Sequence, residues 1–260
     1  MSAFMAFTKK ELLQLTRTSK LAIILIIFVL FGIMNPALAK ITPWLMEMTA
    51  ESLEASGMTI EKVVVDDMTS WTQYYKNVPM EIIVFILMFA GIFTIEYQRG
   101  TLVNMITKGL TRGTVFASKS LVLSALWTVG YWICYGITYG YNAYFWGNTN
   151  VKYPLIGAVY YYLYGIWLIS LVVLFSSFCK TSTNVLLGVG GVYVLCLFAG
   201  MIKTVGQYLP TKLTDGFNLI SGITGVSDYT KALVCTLIFS VVNFVTAKIL
   251  MDKVNVIASV

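Results

Sequence analysis

The chain has 260 residues, of which 58% are hydrophobic and only 12% are charged, and its formal net charge is +6. A soluble domain has about a quarter charged residues, so a chain this apolar could not cover a water-exposed surface and belongs to the membrane class. The absence of histidine excludes imidazole bases and histidine metal ligands, and the position of the basic residues beside apolar stretches favours membrane topology over nucleic-acid binding.

Residues 1–20 are predicted to form an amphipathic helix that lies in the membrane interface. At about 100° per residue, Phe7 and Leu15 fall on an apolar arc and Lys10 falls on the opposite arc. Glu11 projects from the middle of the apolar arc, where a carboxylate needs a cationic partner. We expect it either to reach water at the interface, or to face another protein or pair with a cytoplasmic arginine.

Six segments are apolar enough to cross a bilayer as helices, a crossing that takes about 20 residues. They are continuously apolar rather than alternating, which excludes the strands of a membrane β-barrel. The sequence therefore predicts an all-α, polytopic membrane protein with a single transmembrane domain over residues 1–260. The predicted spans are 21–39, 80–95, 117–141, 155–178, 184–202 and 231–250.

An alternative for the first span is a cleaved signal peptide over residues 1–40. This stretch has a basic start, an apolar middle and a small-residue site at 37–39. Its long polar start favours a helix of the mature protein instead. A mature N-terminus at Lys40 would remove the first span.

The distribution of lysine and arginine predicts that both termini face the cytoplasm. Eleven of the 18 Lys and Arg residues lie in or near the termini, the 96–119 loop and the 179–183 turn. The other seven lie in segments that also hold eight of the 12 acidic residues. Positive charge is retained on the cytoplasmic side of membranes. The predicted extracellular segments are 40–79, 142–154 and 203–230.

The 96–119 loop is basic and is predicted to contain a short helix that begins at the N-cap Thr101 and ends at Gly109. It is either an ordinary connector or a docking helix for a cytoplasmic partner. An acidic residue is followed by a basic residue with Gly-Thr, then by Thr-Arg, and finally by a lysine that enters the third span. These residues are Glu96, Arg99, Gly100, Thr101, Thr111, Arg112 and Lys119.

This pattern resembles the loop after the second span in permease subunits of ABC-2-type transporters. The resemblance extends over most of the chain, because residues 9–12 are similar to the family's N-terminal amphipathic helix and residues 178–182 to its turn between spans four and five. It implies an ATPase-coupling loop over 96–116, with the N-terminal helix beside it. The implied coupling residues are Lys10, Glu11, Glu96, Arg99, Gly100, Thr101, Lys108, Thr111, Arg112 and Lys119.

The chain lacks the Gly-x4-Gly-Lys-Ser/Thr phosphate loop. The resemblance implies that a separate ATPase subunit carries ATP and Mg²⁺, with no cofactor, metal or catalytic residue in this chain. Six spans form half of a pathway in this family, so a second permease copy is implied, as a homodimer or a heterodimer. Small six-span members of the bacterial plasma (inner) membrane often serve in peptide-toxin or antimicrobial export and resistance, which implies an amphipathic substrate.

The chain departs from the family in its outer segments. Many members place the larger outer loop between spans five and six, where short helices lie near the outer surface. Here the longest outer segment is 40–79, in which an acidic amphipathic helix is predicted around 47–75. This departure leaves the substrate open.

Aromatic residues crowd the outer halves of spans three and four. Tyr131, Tyr135 and Tyr139 recur every four residues and therefore share one helix face. An interfacial aromatic belt accounts for many of these rings, but the deeper ones are candidates to line a cavity for an amphipathic substrate. The predicted pathway residues are Tyr131, Tyr135, Tyr139 and Tyr164.

No charged residue is predicted deep within a span, since Glu81 and Glu96 are placed at the two ends of span two. Ion-coupled transporters usually keep charges at mid-membrane, so the leading hypothesis is the permease of an ATP-driven exporter. The alternative is a non-transporting scaffold or sensor that uses the 40–79 segment. A membrane enzyme is disfavoured, because the sequence has no histidine and indicates neither a buried carboxylate pair nor metal-ligand spacing.

Overall fold

The computed structural model describes residues 2–54, 65–107 and 109–253, and these residues form helices and no strands. The predicted all-α fold is confirmed for this part of the chain. The helices are α1 (Ala3–Arg17), α2 (Lys20–Glu54), α3 (Asp67–Phe89), α4 (Thr94–Gln98), α5 (Thr101–Thr107), α6 (Arg112–Phe145), α7 (Pro154–Phe178), α8 (Ser182–Gly200), α9 (Lys203–Gly206), α10 (Gly216–Ile220) and α11 (Thr230–Lys253), with short 3₁₀ helices at Pro210–Thr214 and Val226–Tyr229.

Within the described residues, six helical stretches are long and apolar enough to cross a membrane, as predicted. Because most of the side chains in the apolar parts of α2, α8 and α11 are not buried within the described part of the chain, their apolar surfaces need contact with lipid or with another protein. The chain is a multi-pass membrane protein. The six stretches are Lys20–Met48, Asp67–Gln98, Arg112–Phe145, Pro154–Phe178, Ser182–Gly200 and Val226–Lys253.

The helices around the first outer segment run further than the apolar pattern indicates. Helix α3 begins well before residue 80 because the Asp66 side chain caps it, accepting a hydrogen bond from the backbone N–H of Thr69 at 3.0 Å. The single amphipathic helix predicted around 47–75 is wrong, since residues 65 and 66 are outside any helix. Residues 47–54 belong to α2 and 67–75 to α3, while 55–64 lie outside the described residues.

The early start of α3 moves Glu81 from the end of a span to near the middle of the Asp67–Gln98 stretch. Its side chain is completely buried, so the expectation that no charge lies deep within a span is wrong. One carboxylate oxygen, Oε1, accepts a hydrogen bond from the Cys134 thiol of α6 at 3.0 Å. The other, Oε2, has no hydrogen-bond partner in the part of the chain described.

Polar side chains beside Glu81 join three helices. Asn77 of α3 donates a hydrogen bond to Asn35 of α2 at 2.7 Å, and Asn35 donates one to Thr138 of α6 at 3.2 Å. The Thr138 hydroxyl in turn donates to the backbone carbonyl of Gly32 at 3.1 Å. Buried polar groups of this kind fix how membrane helices pack, because they lack water as an alternative partner.

The core lies around Trp127 of α6, which is 1% exposed. Phe28 of α2 and Phe85 of α3 meet this ring edge-on, with centroid distances of 5.7 and 5.5 Å. Gly165 lets α7 approach from the other side, since a Cβ there would lie 2.2 Å from Trp127 Cζ2. Helix α7 is the most buried of the six long helices.

The bundle has two ends of different character. At the first, which we name the charged end, α1, α4, α5, residues 179–181 and the last turn of α11 lie together. At the opposite, capped end, the 146–153 connection contacts the start of α3 through hydrogen bonds from Asn150 to Asp67 at 2.8 and 3.0 Å. The predicted inner loops thus share one end, while its assignment to the cytoplasm stays a prediction.

The 203–230 segment forms the cap from four short helices that pack on α7, α8 and α11. The hydroxyl of Tyr229 donates a hydrogen bond to the backbone carbonyl of Asp215 at 2.8 Å, and the Tyr229 side chain is fully buried. Partial burial lowers the pKa of Lys212, but its hydrogen bond to Asp215 at 2.9 Å and the attraction between the charges raise it above its ordinary value.

We expect Gly165→Ala to destabilise the fold by about 1–3 kcal/mol, because the added methyl group overlaps the buried Trp127 ring. Gly136→Ala is the matched control, since a Cβ at Gly136 of α6 meets no atom within 4 Å. Thermal unfolding of the detergent-solubilised protein measures both. Equal melting temperatures for the two variants would contradict this packing of α6 against α7.

Candidate functional site

Helix α1 crosses the charged end and packs against α6. The Ser2 side chain caps its first turn by accepting a hydrogen bond from the backbone N–H of Met5 at 3.3 Å. A positive φ of 55° at Ser19 turns the chain sharply into α2. Phe7 is buried, and the Thr8 hydroxyl donates to that of Ser118 in α6 at 3.1 Å. One face of α1 therefore lies on protein.

Glu11 lies on this buried face, and its carboxylate pairs with two lysines. Its Oε2 is 2.8 Å from Nζ of Lys119 in α6, and its Oε1 is 2.9 Å from Nζ of Lys10. The expected cationic partner is thus present, but it is lysine rather than arginine. The alternative in which Glu11 reaches water is wrong, because its side chain is 10% exposed.

Lys119 joins Glu11 to a second carboxylate, that of Glu96 in α4. Its Nζ is 3.2 Å from Glu96 Oε1, and the Lys119 side chain is only 4% exposed. Lys10 lies 3.8 Å from the same oxygen, and the Thr101 hydroxyl of α5 donates to Glu96 Oε2. Two lysines balance two glutamates, so the cluster is neutral as a unit but leaves a buried charge if one member is lost.

Helix α5 is short and follows directly from this cluster. The predicted N-cap role of Thr101 is wrong: Thr101 is the first helical residue, and its hydroxyl bonds to Glu96 instead. Gly100 makes the preceding turn with φ of +63°. As predicted, the helix ends before Gly109, which has φ of +90° and donates its N–H to a backbone carbonyl three residues earlier. Lys108 lies outside the described residues.

The start of α6 holds two more of the predicted coupling residues, Thr111 and Arg112. The Thr111 side chain caps the helix by accepting a hydrogen bond from the backbone N–H of Thr114 at 3.1 Å. Arg112 donates hydrogen bonds from Nη1 to the backbone carbonyls of Asp252 at 2.8 Å and Met251 at 3.3 Å. Its positive charge therefore lies at the C-terminal end of α11, where the helix dipole is negative. Arg99 is exposed beside the charge cluster.

Helix α4 also contacts the turn between α7 and α8, through residues that the sequence pattern did not single out. Gln98 donates a hydrogen bond to the carbonyl of Lys180 at 3.0 Å, and Tyr97 donates one to that of Ser177 at 3.0 Å. Thr94 and Ser182 of α8 share a hydroxyl hydrogen bond of 3.1 Å. In the sequence, this contact could have been inferred only from the polar i, i+3, i+4 spacing of these α4 residues, which places them on one helix face.

The predicted pathway tyrosines occupy different environments. Tyr131 is completely buried, and its hydroxyl donates to the carbonyl of Ala158 in α7 at 2.7 Å. Tyr135 is buried against Trp71, with ring centroids 5.6 Å apart. Tyr139 is 43% exposed. The helical spacing brings these three rings onto one face, but Tyr164 lies apart from them.

Tyr164 lines an apolar groove of about 420 Å³ between α3, α7 and α8. Tyrosines from all three helices enter this groove, including Tyr75, Tyr161 and Tyr193, while Ile86 and Leu186 are among its aliphatic residues. The Tyr75 hydroxyl is buried and has no hydrogen-bond partner among the described residues. The groove therefore presents aliphatic surface together with phenol groups, a combination that suits an amphipathic molecule.

Comparison with known proteins identifies the family. The family model described as ABC-2 family transporter protein matches residues 5–256 of the chain. The chain therefore belongs to this family of transporter membrane components, which implies partnership with an ABC ATPase subunit. No curated protein and no solved structure matches the chain.

We expect Lys119→Met to lower the free energy of unfolding by about 3–5 kcal/mol, because Glu11 and Glu96 would lose their shared buried cation. Adding Glu11→Gln should restore part of this loss, since Lys10 can then neutralise Glu96. Thermal unfolding in detergent measures both effects. Lys9→Met, at an exposed position of α1, is the control and should change little; a similar loss there would contradict the role of the cluster.

Proposed function

We propose that this ABC-2 family chain is the permease subunit of an ATP-driven exporter in the bacterial plasma membrane, with both termini in the cytoplasm. A separate ATPase subunit would dock on α5 and supply ATP and Mg²⁺. The observation that carries the proposal is the buried charge cluster that joins α1, α4 and α6 and is bonded to helix α5 through Thr101.

The surface of α5 is suited to docking a partner. Leu102 anchors the helix in the core, whereas Asn104 is exposed on it and Arg99 is exposed in the turn before it. The two glycine turns at its ends hold it as a separate short element. A rigid helix with an anchored inner side can transmit a push from a partner, which a loose connector cannot.

Two routes lead from α5 into the bundle. The bond from Thr101 to Glu96 connects it to the charge cluster, and hence to α1 and α6. Helix α4 continues to the α7–α8 turn through Gln98 and Thr94. We infer that ATPase closure moves α4 and α5 together and shifts α8, which forms one wall of the apolar groove.

The groove is the proposed substrate pathway, with Tyr164 as its predicted contact. Its aliphatic wall and phenol groups favour an amphipathic peptide or antimicrobial over an ion or a sugar. A second permease copy, identical or not, would complete the pathway. The mostly exposed apolar surface of α8 beside the groove supports that pairing.

Glu81 leaves a contribution from ion coupling open to test, since an intramembrane carboxylate is a functional candidate.

Docking is tested with two surface variants of the charged end. We expect Arg99→Glu and Asn104→Trp to reduce co-purification of an ABC ATPase subunit at least about tenfold, a loss of roughly 1.4 kcal/mol. Charge reversal removes attraction at the interface, and a bulky ring on exposed Asn104 blocks close approach. Co-expression, affinity purification and mass spectrometry measure the amount of ATPase retained.

Lys152→Glu is the matched control, because Lys152 is an exposed cation at the capped end. It should retain the ATPase at the wild-type level. If the wild-type chain itself retains no ATPase subunit, the permease assignment fails and the scaffold or sensor alternative is favoured. Retention by both Arg99→Glu and Asn104→Trp would remove α5 as the docking site.

The groove is tested by filling it. Gly190 lines the groove, and a Cβ there meets no atom within 4 Å, so Gly190→Leu should fold normally while occupying substrate space. With the transporter reconstituted, we expect a several-fold smaller stimulation of ATP hydrolysis by a panel of amphipathic antimicrobial peptides. Basal hydrolysis should persist, because the charged end is unaltered.

Gly191→Leu is the neighbouring control, since its Cβ is equally unobstructed but Gly191 does not line the groove. Wild-type stimulation in Gly190→Leu, or an equal decrease in both variants, would exclude the groove as the substrate pathway. Tyr164→Phe distinguishes hydrogen bonding by the hydroxyl from packing by the ring, because it removes only the hydroxyl. A change in peptide preference is the expected result.

A further inference from the structure

A second cavity opens at the charged end, between α1, the start of α2, the α3–α4 junction and α6. Its volume is about 180 Å³. Part of its wall is apolar and is built from side chains such as Leu15, Met88 and Ile92. Another part is polar and includes Gln14, Lys20 and Arg99. The cavity is therefore divided chemically, as a site for an amphipathic ligand would be.

The charges around this cavity do not cancel. Glu11 and Glu96 also line it, but Lys119 and Lys10 already neutralise them. Among the residues that the structure describes, Lys20 has no carboxylate within ion-pair distance.

Arg99 likewise has no carboxylate partner within the described ranges 2–54, 65–107 and 109–253. Lys20 is held by a hydrogen bond of 3.4 Å to the carbonyl of Met88, and its Nζ lies 6.0 Å from the centroid of the Phe89 ring. Two cations thus stand beside an apolar wall, with positive charge in excess.

We propose that this cavity binds an anionic phospholipid of the membrane leaflet at the charged end. The lipid phosphate would lie between Lys20 and Arg99, and the first part of an acyl chain would lie along Met88 and Ile92. Basic pockets between membrane helices on the cytoplasmic side bind acidic headgroups in this way. A volume of about 180 Å³ accommodates a headgroup rather than a whole lipid, so the tails would continue along the exposed surface of α2.

The position of the cavity gives the bound lipid a specific consequence. Because Glu11, Glu96 and Lys119 form part of its wall, a lipid there would brace α1 against the α3–α4 junction. It would also shield the charge cluster from water. The proposal goes beyond the exporter assignment, since a lipid could bind here whether or not the chain transports anything.

The test measures lipid retention by native mass spectrometry on the purified, delipidated full chain. Phosphatidylglycerol is added in competition with phosphatidylcholine of the same tails, and sn-glycerol 3-phosphate is the tail-free probe. We expect one phosphatidylglycerol to be retained in preference to phosphatidylcholine, and no retention of glycerol phosphate. Lys20→Gln and Arg99→Gln should each weaken retention roughly fivefold, the effect of one cation near an anionic headgroup.

Two further variants separate binding from folding. Lys20→Arg keeps the charge and should retain the lipid. Lys9→Gln removes an exposed cation of α1 that does not line the cavity and should also retain it. Equal retention of the two lipids, or unchanged retention in Lys20→Gln, would overturn the proposal. Retention of glycerol phosphate would show an anion site without lipid specificity, which overturns it too.

Discussion

The two salt bridges of the buried Lys119 ammonium group hold the charged end together. This group lies 2.8 Å from the carboxylate of Glu11 and 3.2 Å from that of Glu96, and the Lys119 side chain is 4% exposed. A lysine is almost never buried to this degree without partners. The position of α6 therefore determines where both α1 and α4 must lie. With Lys10 the cluster is neutral, so removing any one of the four charges would leave the others unbalanced in a place that water reaches poorly.

Helix α4 links this cluster to the rest of the molecule. One side of it carries Glu96 toward α1 and α6, and another carries Gln98 and Thr94 toward the α7–α8 turn. A short helix bonded on both sides moves as a rigid link rather than bending. The apolar groove beside α8 and the cavity beside α1 both lie next to this element, so the substrate and the lipid that we propose would each act on α4 and, through Glu96 and Thr101, on α5.

The sequence predicted the overall organisation better than the details of contact. The number of apolar stretches, the helical fold and the ABC-2 resemblance were all correct. The need of Glu11 for a cation was also foreseen, because a carboxylate on an apolar arc cannot remain alone. Its partner Lys119 was assigned to the same coupling set, but hydropathy and spacing carry no information on which two distant residues meet. The misplacement of Glu81 has a similar cause, since an apolar window cannot detect the polar turns with which α3 begins.

Composition and the length of the apolar runs were enough to predict the membrane class, the six long helices and the grouping of basic residues. Which side chains face each other became known only from the folded structure. It placed Tyr131 in a helix contact and Tyr164 in a groove, although both are tyrosines in neighbouring helices. It also made Lys119 a buried partner of two carboxylates, whereas Lys20 lies beside an apolar wall with no carboxylate of the described residues within ion-pair distance. The reason is physical: burial and pairing depend on the packing of whole helices against one another, and that packing is not contained in the periodicity of any single helix.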